Sequence, residues 1–460
     1  MTDGALAART RAVLNSPWLW VGLVYLCGLA MRAIYTFTVQ PPEQFVTSDM
    51  FFYVSLARKF AAAHGPVDPW DVTHPLGYPA LVAFLISGGG SLARVVNLQL
   101  IVSALVPPAV GLLAAAAYGR RTAQLAVIFA SLYFPFIEYG ALFLSEIHFI
   151  LWLTLSFAIL LAAHHVRRGA GRVALAAAGG VALSVAAAFK SVALPAAFLM
   201  AAVEGTALLV ARPPADARTR VKRLGPWLLR WTVVAIAAVP LLGVQARACT
   251  RANAGHFCVT GNKMGSDLLL GHYGRIGAME WTPPGGGTSR FGSPGSYLRR
   301  YEATARVPFA MSDNAANSRE AWRWIVGHPG EAIVLSIDHI YDTFFGVAMW
   351  PGYGHPSWPL AHLSQYAFIA FLFIPLLLAG AAVLRRGARA VATSRTALVL
   401  APVAALTITV AFATGEVRYR IPFDVFLMIV VCAYASGDLR RIDTPAPAPT
   451  PLPLSQPRID

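Results

Sequence analysis

Residues 141–163 read ALFLSEIHFILWLTLSFAILLAA, and Glu146 is the one formal charge in them. About 20 consecutive apolar residues cross the hydrocarbon core of a bilayer as a helix. A helix on the surface of a soluble domain would return a polar residue to one face every turn, and this stretch does not. It therefore predicts a membrane span with its only acid at one end. The same pattern recurs on both sides. Runs of comparable size extend over Trp18–Phe37, Leu92–Tyr118, Ala123–Ile137, Val173–Phe189, Val192–Val210, Trp227–Val244, Tyr366–Leu384, Ala397–Ala413 and Ile421–Ala435. With Ala141–Ala163 that makes about ten spans, and the fold expected is an all-α polytopic membrane protein.

The composition agrees. The 460 residues are 57% hydrophobic and 13% charged, where a soluble domain carries roughly 25% charged residues. A net charge of +15 opens three readings: nucleic acid, anionic lipid, or cytoplasmic loops. Position decides among them. Threaded from a cytoplasmic N-terminus, the spans leave on one side Arg9 and Arg11, Arg120 and Arg121, Arg167, Arg168 and Arg172, and Arg212, Arg218, Arg220, Lys222 and Arg223. The same side takes Arg385, Arg386, Arg389 and Arg395, then Arg440 and Arg441. Every loop on that side is basic, as cytoplasmic loops are. Both termini are thus expected in the cytoplasm, and membrane lipids rather than nucleic acid as partners. The Ala- and Arg-rich composition fits a bacterial inner membrane, with the opposite face periplasmic. Residues 1–437 form the membrane domain, and 438–460 a basic then Pro-rich tail expected to be disordered.

Two outer segments are too long to be connectors, about 40–91 and 246–360, and long loops in compact domains usually carry function. The first opens with Asp49, followed one helical turn later by Tyr53 on the same face of an amphipathic, interfacial helix. A helix N-cap is the bland alternative for Asp49. An apolar stretch ending near Ile86 is too short to span and reads as interfacial or re-entrant. Cys27 and Cys432 fall in spans. Cys249 and Cys258 share the second outer segment, where they either pair or stay free. No Cys/His spacing matches a zinc site.

The order of these features resembles the GT-C superfamily of integral-membrane glycosyltransferases, in particular the branch with protein O-mannosyltransferases, the lipid A aminoarabinose transferase and lipid A core galacturonosyltransferases. The elements that carry it are Asp49 and Tyr53, then His74-Pro75-Leu76-Gly77-Tyr78-Pro79, then Arg94 with Asn97. They continue as Leu144-Ser145-Glu146, Phe189-Lys190-Ser191, Gly261-Asn262 with Leu269-Leu270-Gly271-His272, His328-Pro329, and Glu416-Val417-Arg418-Tyr419-Arg420. Met50 departs from the family pattern, since many relatives have a second acid after the Asp. Glu138 competes with Glu146 for the role of the later acid.

The resemblance implies a GT-C-like bundle with its long outer loop after the seventh span. It implies transfer of a sugar from a polyprenyl-phosphate donor to a hydroxyl of an envelope lipid, polysaccharide or protein on the outer face, with inversion. Asp49 is then the expected general base and Glu146 the second catalytic acid. Lys190, Arg418, Arg420 and Arg94 stand at outer ends of spans, against the inside rule, and are the expected ligands of the donor phosphate. Snorkelling to the interface is the alternative for each. Tyr53, His74, Tyr78, Asn262, His272 and Glu416 are expected to line the substrate pocket. No cofactor is required, although a divalent metal could sit between Asp49 and Glu146. Two rival readings remain: a transporter or flippase of lipid-linked sugars, and an inactive relative. Arg32, inside the first span, is expected to pair with an acid such as Glu146 or Glu416.

Overall fold

A computed structural model describes residues 16–46, 48–166, 169–210, 217–292, 301–346, 358–385 and 395–439. The basic N-terminus, Arg167, Arg168, Arg212, Arg386, Arg389 and the Pro-rich tail of the sequence reading lie outside them. The chain runs through α1 (Pro17–Ile34), α2 (Ser48–Ala63), α3 (Gly77–Ile86), α4 (Leu92–Ala117), α5 (Arg120–Leu132), α6 (Phe134–Glu138) and α7 (Glu146–Ala162). It continues through α8 (Gly169–Phe189), α9 (Ala193–Val210), α10 (Ala217–Ala252) and α11 (Met264–His272). Three short strands follow, β1 (Ala278–Trp281), β2 (Ser289–Gly292) and β3 (Thr304–Val307). Then come α12 (Asn314–Gly327), α13 (Pro329–Phe345), α14 (Trp358–Phe368), α15 (Ile374–Leu384), α16 (Arg395–Phe412), α17 (Val417–Arg420) and α18 (Asp424–Ala435).

Among the described residues eight helices are long and apolar enough to cross a membrane, nine if the bent pair α5 and α6 counts as one span. The protein is thus polytopic and mostly helical, with two differences from the ten spans expected. The run 123–137 is bent by 60° between α5 and α6, because Pro135 has no N–H to continue the ladder. The run 421–435 becomes a 3-10 turn at Ile421–Phe423 followed by the 12-residue α18. That helix is too short to span, and Asp424 through Ala433 are all buried inside the bundle.

The long segment after α10, expected on the outer face, is also not purely helical. It folds as α11 to α13 around a small sheet of order β2-β1-β3, antiparallel between β1 and β2 and parallel between β1 and β3. Its own apolar cluster includes Leu269, Met279, Trp281, Val307 and Ala321. A disulfide between Cys249 and Cys258 closes the chain where it leaves α10.

Helix α7 lies at the centre, packed on α4 and α8, and 72% of its spanning window is buried. Bundles without a hydrophobic drive between helices rely on small residues for close approach. Gly180 on α8 does this against α10: a Cβ there would stand 2.4 Å from the Val234 carbonyl oxygen. Among the described residues Arg32 finds no acid. It is buried and donates to the Ser103 hydroxyl (3.0 Å) and to the carbonyls of Gly28, Ser131 and Ala130 (3.0, 2.8 and 3.3 Å), tying α1 to α4 and α5.

Candidate active site

Four helix ends meet at one level. Asp49 lies in the first turn of α2 and Glu146 in the first turn of α7, where the exposed N–H groups favour a carboxylate. Lys190 follows the last residue of α8, its N–H still bonded to the Ala186 carbonyl, where free carbonyls favour a cation. Arg418 is on α17, one turn after α16 ends, with Glu416 immediately before that short helix. The side chains converge. Arg418 Nη1 is 2.8 Å from Asp49 Oδ2, and its Nε is 3.4 Å from Glu146 Oε1 and 3.8 Å from Glu416 Oε2. Lys190 Nζ is 3.1 Å from the same Glu146 oxygen.

Exposure separates their roles. Glu146 and Glu416 are buried, whereas the Asp49 side chain is 29% exposed and that of Lys190 21%. Asp49 and Lys190 are therefore the more accessible members of the cluster, and Glu146 and Arg418 the more deeply buried ones. Burial acts to raise the Asp49 pKa, but the charges of Arg418, first, and Lys263 outweigh it and hold the carboxyl well below the ordinary range. Burial, with Asp49 and Glu146 beyond Arg418, pushes Glu416 upward. A divalent ion between Asp49 and Glu146 would have to displace Arg418, which already bridges them. Among the described residues no group of three or more His, Cys, Asp or Glu is arranged to hold a metal.

Aromatic rings wall one side. The Tyr53 ring is buried, edge-on to Tyr78 (5.2 Å between centroids) and His74 (5.7 Å). Burial, then the charges of Glu146 and Asp49, raise the Tyr53 hydroxyl far above its usual pKa, so it stays a neutral partner of Ser145. Tyr78 donates to Gln99 Oε1 at 2.9 Å, behind the cluster. His74 is pushed down to about 3, chiefly by burial and then by Lys263, and is neutral at pH 7.

The other expected residues divide plainly. Asn262 is close to the site but acts as a clamp, its amide donating to Asn253 Oδ1 (2.8 Å) and the Ser312 carbonyl (2.7 Å). His272 is buried between α11 and α13, its Nε2 3.2 Å from the Ser336 hydroxyl, and among the described residues makes no contact with the cluster. Arg420 is turned the other way. Its Nε donates to Asp424 at 2.9 Å and its Nη1 to the Phe344 carbonyl and Gln365 Oε1, both at 3.0 Å. It is 1% exposed, with the Phe368 ring against its guanidinium. Arg94 is exposed at the start of α4, beside Gly90. Neither arginine joins the cluster. Glu138 is buried, and its Oε1 has no hydrogen-bond partner among the described residues.

One cation was not anticipated. Lys263, the residue after Asn262, opens α11 and is 3.2 Å from Asp267, one turn on. Burial opposes its charge, but Asp267, Tyr419 and Asp49 more than restore it, so it remains protonated. Its side chain is 26% exposed. Only its position beside the Gly261-Asn262 element could have marked it.

No protein-family model matches the chain, and no curated protein does. Among solved structures it is similar to the archaeal oligosaccharyltransferase AglB from Archaeoglobus fulgidus in complex with an inhibitory peptide and a dolichol-phosphate. The identity is 12%, over 90% of this chain and 50% of that one, with a TM-score of 0.49. The Archaeoglobus fulgidus oligosaccharyltransferase complex with Zn and sulfate is 13% identical over 91% of this chain and 50% of its own, at a TM-score of 0.47. The same enzyme tethered to an acceptor peptide gives 12%, 92%, 50% and 0.47. This chain spans about half the length of those structures. At that level of likeness the chemistry has to be read from this chain's own side chains.

Proposed function

We propose that the chain is a membrane glycosyltransferase of the GT-C kind, moving a sugar from a polyprenyl-phosphate donor to an acceptor hydroxyl on the outer face. The observation that carries this reading is the junction itself: a partly exposed carboxylate, Asp49, paired with Arg418, with Lys190 joined to it through Glu146 and Lys263 within electrostatic reach. A lipid phosphate arrives at that depth with its chain in the bilayer and its charge at the helix ends.

The chemistry follows from the charges. The acceptor hydroxyl gives its proton to Asp49 as its oxygen bonds to the anomeric carbon. The bond from that carbon to the phosphate oxygen breaks, and the electron pair leaves with the lipid phosphate, so the configuration inverts. Arg418 and Lys190 face the growing negative charge, and fixed cations there stabilise the transition state. A base with a strongly depressed pKa is a poor one. Donor phosphate relieves this, because it competes with Asp49 for Arg418 and leaves the carboxylate with the burial that raises its basicity.

The test pairs donor binding with transfer. Purified protein would be given a panel of polyprenyl-phosphate sugars and envelope extract, and donor affinity measured for Lys190→Ala, Arg418→Ala and Lys263→Ala. Transfer from at least one donor, and affinity reduced about tenfold or more in Lys190→Ala and Arg418→Ala, supports the reading. Unchanged affinity in both would contradict it.

A further inference from the structure

Arg94, apart from the junction, stands beside a groove. The groove, of about 930 Å³, opens between the end of α2 and the start of α4, and Glu43, Arg58, His64, Ser87, Gly90 and Ser91 are among the residues that line it. The connector from α3 to α4 turns there because Gly88 and Gly89 take positive φ, 64° and 83°, which residues with a side chain resist. Gly90 makes room of another kind. A Cβ on it would stand 2.8 Å from Arg94 Nη1, so the bare backbone lets that guanidinium reach the groove's edge. Arg58 enters from α2.

Both guanidiniums are uncommitted. Among the described residues neither Arg58 nor Arg94 makes an ion pair or a side-chain hydrogen bond, and both are exposed. Two arginines against one acid, Glu43, leave the groove positive. Ser91, the N-cap of α4, gives that helix no side-chain hydrogen bond, and helix N-termini favour anions. Along α4 from Arg94 the surface turns apolar. At 3.6 residues per turn Ile101, Leu105 and Leu112 fall on the same face of the helix as Arg94, and they are 57%, 47% and 59% exposed. Helix α4 is long and apolar enough to cross a membrane, so this stripe is a surface for lipid chains, with the two arginines at its head.

We propose that this groove binds the phosphate of a membrane lipid, with Arg58 and Arg94 on the phosphate oxygens and the acyl chains along Ile101, Leu105 and Leu112. A guanidinium matches phosphate geometry with two parallel N–H donors. The stripe selects among anions: a free phosphate gains nothing from it, and a lipid without a phosphate gains nothing from the arginines. The site is separate from the junction, since about 13 Å of α2 lies between Asp49 and Arg58. It does not depend on the transferase reading.

Lipid binding to the full-length protein in an uncharged detergent tests this, with the bound lipid counted by native mass spectrometry. Three probes separate the sources: dihexanoyl phosphatidylglycerol, dihexanoylglycerol with the same chains and no phosphate, and inorganic phosphate with no chains. The phosphatidylglycerol should bind, and the other two at least about tenfold more weakly. Arg58→Gln combined with Arg94→Gln should weaken the phosphatidylglycerol about tenfold. Arg121→Gln, at an exposed arginine of α5, is the control and should change nothing. Should the double variant lose its thermal transition, Arg58→Gln alone should still weaken binding about threefold. Equal affinity for dihexanoylglycerol would mean that the groove takes chains only, and equal affinity for inorganic phosphate that it takes a free anion. Either would overturn the proposal. So would unchanged binding in the arginine variants, an equal loss in Arg121→Gln, or no phosphatidylglycerol binding by the wild type.

Discussion

Arg418 faces three carboxylates, and Asp49 is the one that reaches solvent. The two influences on Asp49 have opposite signs: burial raises its pKa, and the charges of Arg418 and Lys263 lower it by more. A depressed pKa means the pair stabilises the fold above the unfolded carboxyl's pKa, and that this is lost as pH falls through the folded value. In Arg418→Gln burial has less to oppose it, so the acid limb of residual kcat/KM should move to higher pH than in the wild type. A limb at the same pH would mean that Arg418 does not set the Asp49 charge. His74, pushed down to about 3, should add no inflection near pH 6.5. Arg420 belongs to a different arrangement, a buried pair with Asp424. Removing one partner of a buried pair costs about 3–5 kcal/mol. Arg420→Leu should therefore lower the thermal midpoint without changing donor affinity, and adding Asp424→Leu should recover much of the loss. A weaker donor affinity at unchanged stability would restore Arg420 to the phosphate site. Depth was legible in the sequence for Lys190, Arg418 and Arg420, which stand at ends of apolar runs, and for Glu146 near the start of its own. Direction was not. Two residues apart on a helix point to nearly opposite sides, so Arg418 and Arg420 could not both face one site, and only packing shows which does.

Among the elements, apolar length identified most spans but not their breaks. The run 123–137 holds enough apolar residues for a span, and Pro135 bends it by 60°. The run 421–435 looks like a span because burial in protein and burial in lipid select the same residues. Its 12-residue helix is wrapped by neighbours instead. The strands of the second outer segment were missed for a related reason: each has four residues, too few for an alternation to stand out, and β1 is buried at Ala278, Met279 and Trp281. Close helix contact gives a prediction at this scale. A Cβ at Gly180 would meet the Val234 carbonyl oxygen, which is backbone and cannot turn aside. Gly180→Ala should lower the thermal midpoint in detergent through separation of α8 from α10, with a loss of about 1–3 kcal/mol typical of overpacking. Gly243→Ala, on α10 with open space at its Cβ, is the control and should change little. Equal effects at both positions would refute the close contact.

Across the whole molecule, the helix bundle and the two long segments after α1 and α10 share one junction, at the ends of α2, α7, α8 and α17. Lys190 and Arg418 stand with Asp49 at the junction, and Arg120, one of the residues expected on the other side, opens α5. The proposed reaction would bring a lipid-borne donor and a water-borne acceptor to this junction. Its central step is the removal of the acceptor's proton by Asp49. The direct measurement is the rate of sugar transfer by Asp49→Asn beside the wild type, at saturating polyprenyl-phosphate donor and with donor affinity determined on the same samples. Asparagine keeps the shape and loses the base, so transfer should fall by about 10²–10⁴-fold while donor binding persists. Transfer at the wild-type rate by Asp49→Asn, with donor bound normally, would contradict the account.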